Sequence, residues 1–284
     1  MTRYARPNTL AEAVHLLAQA GGTLLAGGTD FYPGLGDRPA MGSVIDISRI
    51  REMKGVRVTG GEIRIGGLTT WSELLASSLP RCCDALKSAA REIGGVQIQN
   101  RGTVAGNLCN ASPAADSVPA LIAADAVCIV VGPNGRREMA AVDMCTGPGR
   151  NSLGSGEFVL EIRLPERPAR ASDAYLRAIP RTEMDIAVVG CGVSLALDAG
   201  GTVTAARVSL GAVAPTALLV AEAGAALVGS KLEEAALAKL DQAAQNAAKP
   251  IADKRGTIEY RKAMAGVLAR RVALIAYARA GGKA

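Results

Sequence analysis

Two stretches of this chain hold residue types whose spacing could do chemistry. The first is Leu25-Ala26-Gly27-Gly28-Thr29-Asp30, where an apolar run gives way to paired glycines, a hydroxyl and a carboxylate. Successive glycines let backbone N–H groups converge on one concavity, which suits a pyrophosphate, and Thr29 can add a hydroxyl donor. A plain turn reads the same way. The second is Asn100 to Leu108, with Gly102, Thr103, Gly106 and Asn107, running on to Asp116. It offers glycines, a hydroxyl and an amide, and its bland reading is a structural Ω-loop. Around these stretches the usual apparatus is missing. There is no G-x-x-x-x-G-K-[ST], and Gly190-Cys191-Gly192 lacks the third glycine and the following helix of a dinucleotide fingerprint. The single histidine, His15, falls inside a helical pattern and reads as a surface residue. Phosphate cradles without an acid–base pair suit a protein whose cofactor carries the chemistry.

The elements that must position these loops follow from pattern. Thr9 and Glu12 form a capping-box pair, Leu10, Ala13, Val14 and Leu17 make one helical face, and Gly21-Gly22 ends it. A short strand, 23–26, runs into Gly27-Gly28. Residues 43–47 read as a strand and 56–65 as a hairpin about Gly60-Gly61. Helices are expected at 71–77, behind the Thr70/Glu73 capping pair, and at 86–93. Residues 94–115 read as one long glycine- and asparagine-rich loop, and loops of that length are usually functional. A helix with Pro119 in its first turn follows, then strands at 126–131 and 158–164. Pro165 to Asp173 carries two prolines and four charges, and marks a boundary between residues 1–167 and 168–284. Beyond it lie strands at 174–179, 186–197 and 203–213, then helices at 216–227, 232–247 and 257–280. That order is a β-meander followed by helices, an α+β arrangement.

The 284 residues suffice for one large domain or two modest ones, and 49% apolar content excludes disorder. With one Trp and two Phe, the cores must be built from Ala, Val, Leu and Ile. The net charge of +6 is scattered and has almost no aromatics to interleave with it, so nucleic acid is not the expected partner. The most apolar window, 118–131, is broken by Asp125 and too short to span a bilayer. The amino terminus reads as polar and leaderless, and no two of the six cysteines have C-x-x-C spacing. A soluble, reduced, cytoplasmic protein without membrane insertion is the expectation.

The motifs together resemble the FAD-binding subunits of the xanthine dehydrogenase and carbon monoxide dehydrogenase family of molybdenum hydroxylases. They are Ala26-Gly27-Gly28-Thr29-Asp30, Gly102-Thr103-Val104-Ala105-Gly106-Asn107-Leu108, and Ala111-Ser112-Pro113 with Asp116. The likeness continues through Glu157-Phe158-Val159, Leu164-Pro165, Arg177, Arg181-Thr182-Glu183-Met184-Asp185-Ile186-Ala187, Arg255-Gly256 and Tyr260-Arg261. It covers nearly the whole chain in order.

The resemblance implies a vanillyl-alcohol-oxidase-like (PCMH-type) FAD-binding domain in two subdomains, followed by a smaller C-terminal α+β domain. It implies that Leu25 to Asp30 form the first flavin loop, with Gly27, Gly28 and Thr29 on the pyrophosphate. Thr103, Gly106 and Asn107 would close from the other side, with Ser112 in the same motif. Leu108 would lie by the isoalloxazine ring and Asp116 on the polyol region. Arg177 would stand near the ring, where a cation favours the anionic reduced flavin. Asp116 as a helix cap and Arg177 as a surface strand residue remain open beside these.

The chain lacks the iron–sulfur and molybdopterin domains of single-chain relatives, and the cysteine-bearing insertion of the 4-hydroxybenzoyl-CoA reductases. The resemblance therefore implies one subunit of three. A small chain would carry two [2Fe-2S] clusters and a large one the molybdopterin cofactor, and the whole would assemble as a dimer of heterotrimers. Electrons would arrive singly from the clusters and leave in pairs to an external acceptor. The Gly-Gly-Thr-Asp form leans towards the xanthine or aromatic-heterocycle hydroxylases, and Phe31 stands where many relatives carry Leu. A standalone FAD oxidoreductase of the same flavin fold is the alternative. It would need its own proton donor, and the sequence offers none.

Overall fold

The computed structural model describes residues 3–181 and 184–282, so Thr182 and Glu183 of the motif after Arg177 lie outside the described residues. The chain opens with β1 (Arg3–Ala5), α1 (Leu10–Ala20), β2 (Thr23–Leu25), α2 (Phe31–Leu35) and β3 (Ser43–Asp46). The three strands form a parallel sheet in the order β1-β3-β2. Thr9 caps α1 by accepting the Glu12 N–H at 3.2 Å. The Glu12 carboxylate takes the N–H of Asn8, one residue ahead of the cap, so the expected capping box is only half made. Leu10, Ala13 and Leu17 bury one face of α1 against Ile45, Ile47, Ile50 and Met53.

A five-stranded antiparallel sheet follows, in the order β4-β5-β10-β6-β7. Its first two strands, β4 (Val56–Thr59) and β5 (Glu62–Gly66), turn through Gly60 and Gly61, both at positive φ (59° and 83°). That is the turn whose twist matches a hairpin. Helices α3 (Trp71–Ala76), α4 (Asp84–Glu92), α5 (Val96–Gln99), α6 (Val104–Asn110) and α7 (Ser117–Ala123) come next. Thr70 and Glu73 form a complete capping box on α3. The stretch expected as one long loop, 94–115, instead carries α5 and α6. At four and seven residues they are too short to show a 3.6-residue apolar period. Then come β6 (Val127–Gly132), β7 (Gly135–Ala140), the small hairpin β8 (Cys145–Gly147) and β9 (Arg150–Asn151), and β10 (Phe158–Leu164). Trp71, Leu74, Leu86, Leu108, Leu121, Val130 and Ile162 make the larger core of this half.

The chain crosses from β10 to the meander β11 (Ala171–Ala178), β12 (Val189–Leu197), β13 (Val203–Gly211) and β14 (Leu218–Leu219). β14 and α8 (Ala221–Leu227) share the stretch expected to be wholly helical, and α9 (Glu234–Ala247) and α10 (Ile258–Arg279) follow. All nine residues of β12 are buried, because α7 covers one face of the sheet and α10 the other. On the α7 side the approach is very close. A Cβ on Gly192 would stand 2.7 Å from the Pro119 carbonyl oxygen, and one on Gly211 2.6 Å from Pro119 Cγ. Arg261, 4% exposed, bonds the carbonyls of Val188 and Ala212, each at 3.1 Å, and Asp253 at 2.6 Å. Among the described residues no helix is long and apolar enough to cross a membrane.

Candidate functional site

A cleft of about 560 Å³ lies where β2 of the parallel sheet faces β10 of the antiparallel one. Its rim is the two glycine loops. Gly27 is the point of closest approach: a Cβ there would stand 1.9 Å from the Arg101 carbonyl oxygen and 3.1 Å from Gly102 Cα. Gly28 turns the chain at φ 79°, a region that L side chains rarely adopt, and its carbonyl accepts the Tyr32 N–H at 3.2 Å. Asp30 ties the first loop to the second. Its Oδ1 accepts from Asn110 Nδ2 at 3.0 Å, and its Oδ2 from the Thr29 hydroxyl at 3.4 Å. On the second loop, Thr103 caps α6 by accepting the Gly106 N–H at 3.0 Å. The loop is braced by Trp71 N–H to Gly102 O and Val104 N–H to Thr69 O. Asn107 Oδ1 accepts from the Ser117 hydroxyl at 2.6 Å.

Nine of the thirteen residues expected to bind the cofactor therefore line one cleft: Leu25 to Asp30, Thr103, Gly106 and Asn107. The other four are not on its lining. Leu108 is fully buried in the larger core. Ser112 is exposed and accepts the Ala114 N–H in a local turn. Asp116 and Arg177 meet each other at 3.0 Å. Arg177 also holds Glu92 at 2.8 Å and the Asp185 carbonyl at 2.9 Å, and its side chain is 4% exposed, so it is no surface strand residue. Asp116 precedes α7 but makes no capping bond, and it takes the Tyr175 hydroxyl at 2.6 Å instead. Burial pushes the Asp116 carboxyl up to about 6, against the Tyr175 hydrogen bond and the Arg177 charge.

The cleft holds residues that sequence reasoning did not single out as binding. Trp71, Ile98, Leu153 and Phe158 give it an apolar wall, and Asn110 and Asn151 add amides. Glu157 and Phe158 stood only in the family-like motif. The two asparagines arrive by tertiary folding and carry no local signal. Glu157 is committed to a bidentate pair with Arg137, at 2.7 and 2.8 Å, which holds its carboxyl down at about 2. His15 is exposed on α1 and outside the cleft. Among the described residues no group of three His, Cys, Asp or Glu could hold a metal ion. The lining is backbone, hydroxyl and amide on one side and flat apolar surface on the other. It fits an elongated cofactor with a diphosphate and a planar ring, and glycine is required where the loops meet.

Residues 1–167 match the family described as the FAD binding domain in molybdopterin dehydrogenase, and residues 174–276 the CO dehydrogenase flavoprotein C-terminal domain. The chain is 35% identical to the carbon monoxide dehydrogenase medium chain of Hydrogenophaga pseudoflava, over 97% of each chain. It is 32% identical to the xanthine dehydrogenase FAD-binding subunit of Escherichia coli O157:H7, over 99% of this chain and 97% of that one. It therefore stands nearly equidistant from both subclasses. A solved carbon monoxide dehydrogenase of Hydrogenophaga pseudoflava, which lacks the Mo-pyranopterin moiety of its molybdenum cofactor, superposes with a TM-score of 0.92 at 36% identity over 98% of each chain. With the cleft between its two glycine loops, the chain belongs to the FAD-binding subunits of the carbon monoxide and xanthine dehydrogenase family of molybdenum hydroxylases, and is a subunit of an FAD-dependent oxidoreductase.

Proposed function

We propose that the chain is the electron-transfer subunit of a cytoplasmic molybdenum hydroxylase. It would take electrons from a small [2Fe-2S] partner, served by a large molybdopterin partner, and pass them to an external acceptor, in a dimer of heterotrimers. One observation carries this reading: the cleft is built from two glycine loops that meet at Gly27, and both carboxylates on its lining are already engaged, Asp30 by Asn110 and Thr29 and Glu157 by Arg137. Bound there, FAD would supply the exchange between one-electron and two-electron transfer. Residues 1–167 would form the FAD domain and 168–284 the smaller C-terminal domain.

Within that reading, Leu25 to Asp30 seat the cofactor from the first loop, with backbone N–H groups of Gly27, Gly28 and Thr29 on the diphosphate. Thr103, Gly106 and Asn107 close on it from the second. Leu108 and Ser112 act by holding that loop in place. Asp116 and Arg177 sit one layer back, and Asp116 adjoins Ser117, whose hydroxyl orients the Asn107 amide. The thiol at the cleft, Cys109, is pushed up to about 12, first by burial. It stays protonated near neutrality and is a poor nucleophile, so the flavin is held without a covalent bond.

The test is direct. The purified chain should be yellow, and acid precipitation should leave the flavin in solution. Coexpressed with its two partner chains, it should lose its flavin absorbance when the hydroxylase substrate is added anaerobically. A colourless chain that cannot be reconstituted with FAD would refute the cofactor assignment. Substrate turnover by the isolated chain would replace the reading with a standalone oxidoreductase.

A further inference from the structure

Gly27, where the two loops meet, lines two cavities, and only one of them is the flavin cleft. The other, of about 90 Å³, adjoins the same seam and shares only Ala26, Gly27 and Thr103 with the cleft. Its polar wall is Ser48, Lys54, Thr70, Asn100 and the Arg101 residue that Gly27 touches. One water takes about 30 Å³ of liquid, so the space holds roughly three waters or one small tetrahedral group, and no nucleotide.

Separate stretches of the chain supply that wall, and each is fixed at its backbone. Lys54 follows the 3-10 turn Arg51–Met53, and its N–H bonds the Arg51 carbonyl at 3.1 Å. The turn lies so close to β5 that a Cβ on Gly66 would stand 2.3 Å from the Met53 carbonyl oxygen. Asn100 and Arg101 lead from α5 into the second loop, with their N–H groups on Val96 O at 2.9 Å and Ile98 O at 3.1 Å. Ser48 follows β3, and Asp46 Oδ1 accepts its N–H at 2.9 Å.

The side chains there have donors to spare and their acceptors filled. Asn100 Oδ1 accepts the Ser72 hydroxyl at 2.6 Å, while the two N–H groups of Nδ2 have no partner among the described residues. The Ser48 oxygen accepts Arg6 Nη2 at 3.0 Å, and its own proton has no acceptor among those residues. Thr70 is engaged by Glu73, whose carboxylate takes its N–H at 2.8 Å and its hydroxyl at 3.1 Å. Neither the Lys54 ammonium nor the Arg101 guanidinium makes a hydrogen bond or ion pair among the described residues, and no carboxylate is on the lining. Two cations, spare donors and no negative charge around so small a space are the complement of an oxyanion.

We propose that this cavity binds one phosphate-class tetrahedral oxyanion, apart from the seat of the flavin diphosphate, and that its occupant braces the two glycine loops. Lys54 and Arg101 neutralise its charge, and Asn100 Nδ2 and the Ser48 hydroxyl donate to its remaining oxygens. Lys54 stands on a turn packed into the core, and Arg101 stands on the second loop with its carbonyl against Gly27 of the first. An anion shared by the two cations therefore holds the second loop where the loops touch. Oxyanion and FAD then raise each other's affinity, because coupling between two sites is reciprocal. The inference rests on the FAD reading of the cleft. The group arrives either as free phosphate or as the terminal phosphate of a nucleotide, and its chemistry in the cavity is the same.

The experiment uses the FAD-loaded chain at an ionic strength held constant with chloride, since exposed cations attract any anion at low salt. Titration calorimetry with inorganic phosphate should show saturable binding at one site per chain. Lys54→Met should weaken it about tenfold or more, the loss of one charge-assisted bond, and leave FAD release in phosphate-free buffer at the wild-type rate. Asn100→Asp keeps an oxygen for Ser72 but puts a carboxylate in the cavity, and should abolish binding. Saturating phosphate should slow FAD release, followed by flavin fluorescence after dilution, about fivefold or more in the wild type and not in Lys54→Met. Adenosine diphosphate binding more tightly than phosphate assigns the group to the end of a nucleotide, and equal or weaker binding assigns it to free phosphate. Phosphate that binds only the flavin-free chain would give the cavity to the cofactor and overturn the proposal. Binding unchanged in both variants would mean an adventitious ion only, and FAD release indifferent to phosphate would remove the brace. A colourless chain that cannot take up FAD fails the cofactor reading instead, and phosphate binding to it is measured separately.

Discussion

Replacing Gly27 with alanine tests whether the two loops act as one unit. The added Cβ would stand 1.9 Å from the Arg101 carbonyl oxygen, 2.7 Å from its carbon and 3.1 Å from Gly102 Cα. Ordinary contact begins at 3.4 Å, so the loops must part by about 1.5 Å (3.4 − 1.9). Every obstacle is backbone, which cannot rotate aside as a side chain would. The second loop is also pinned, with Gly102 N–H on Ile98 O at 2.6 Å and Gly102 O on Trp71 N–H at 3.2 Å. Overpacking of this kind costs about 1–3 kcal/mol. At roughly 2–4 °C per kcal/mol for a chain of this size, the melting temperature should fall by roughly 2–12 °C. If the parted loops also lose their grip on the diphosphate by a similar amount, FAD affinity falls about 5- to 150-fold. Fluorescence titration of the flavin-free chain with FAD gives the affinity, and far-UV circular dichroism the melting. Gly34→Ala is the control, because nothing lies within 4 Å of its Cβ. An unchanged affinity and melting temperature for Gly27→Ala would mean that the loops do not meet at this point. A lowered melting temperature with unchanged affinity would move the diphosphate elsewhere.

Gly28→Val combines a β-branched residue with φ 79° and a Cβ 2.8 Å from the Tyr32 ring, and should abolish FAD binding with little loss of fold; full flavin occupancy would reduce the first loop to a turn. Asp116 has its folded pKa raised to about 6, above the ordinary value of about 3.9, so between these values the folded chain holds more protons than the unfolded one and its stability falls as pH rises. Asp116→Asn should remove that fall, about 2–3 kcal/mol at most, in urea unfolding compared at pH 4 and pH 6.5; a slope identical to wild type would contradict it. Arg177→Met leaves Asp116 and Glu92 without their cation and should lower stability by about 3–5 kcal/mol, measured by the same unfolding. It should keep FAD bound, because Arg177 is off the cleft lining; a lowered flavin potential would bring its charge within reach of the ring, and an unchanged one would confine Arg177 to holding Asp116 and Glu92.

What the sequence disclosed was local. The Thr70/Glu73 capping box and the Gly60-Gly61 hairpin each close within a few residues, and each was readable as written. Elements too short to show a period were not, and α5, α6 and β14 lay hidden in stretches read as loop or helix. β7 was missed because its Gly-Arg-Arg-Glu start is exposed and gives no apolar alternation. In the cleft, glycines and hydroxyls announced themselves by type. Asn110 did not, because it reaches Asp30 across 80 residues of sequence. Nor did the pairing of Arg177 with Asp116 across 61 residues, which no spacing rule could supply.

The contact of Gly192 and Gly211 with Pro119 bears on how fast the protein can work. Two strands meet a helix there with no side chain of their own between, Gly192 against the Pro119 backbone and Gly211 against the Pro119 ring, so the C-terminal sheet has no mobile layer on which to slide or tilt. In the proposed transfer to an external acceptor, a molecule so joined would not capture that acceptor by closing over it. Capture should then be a single second-order event, linear in acceptor concentration and free of a slow first-order phase, with its rate set by diffusion and by ionic strength.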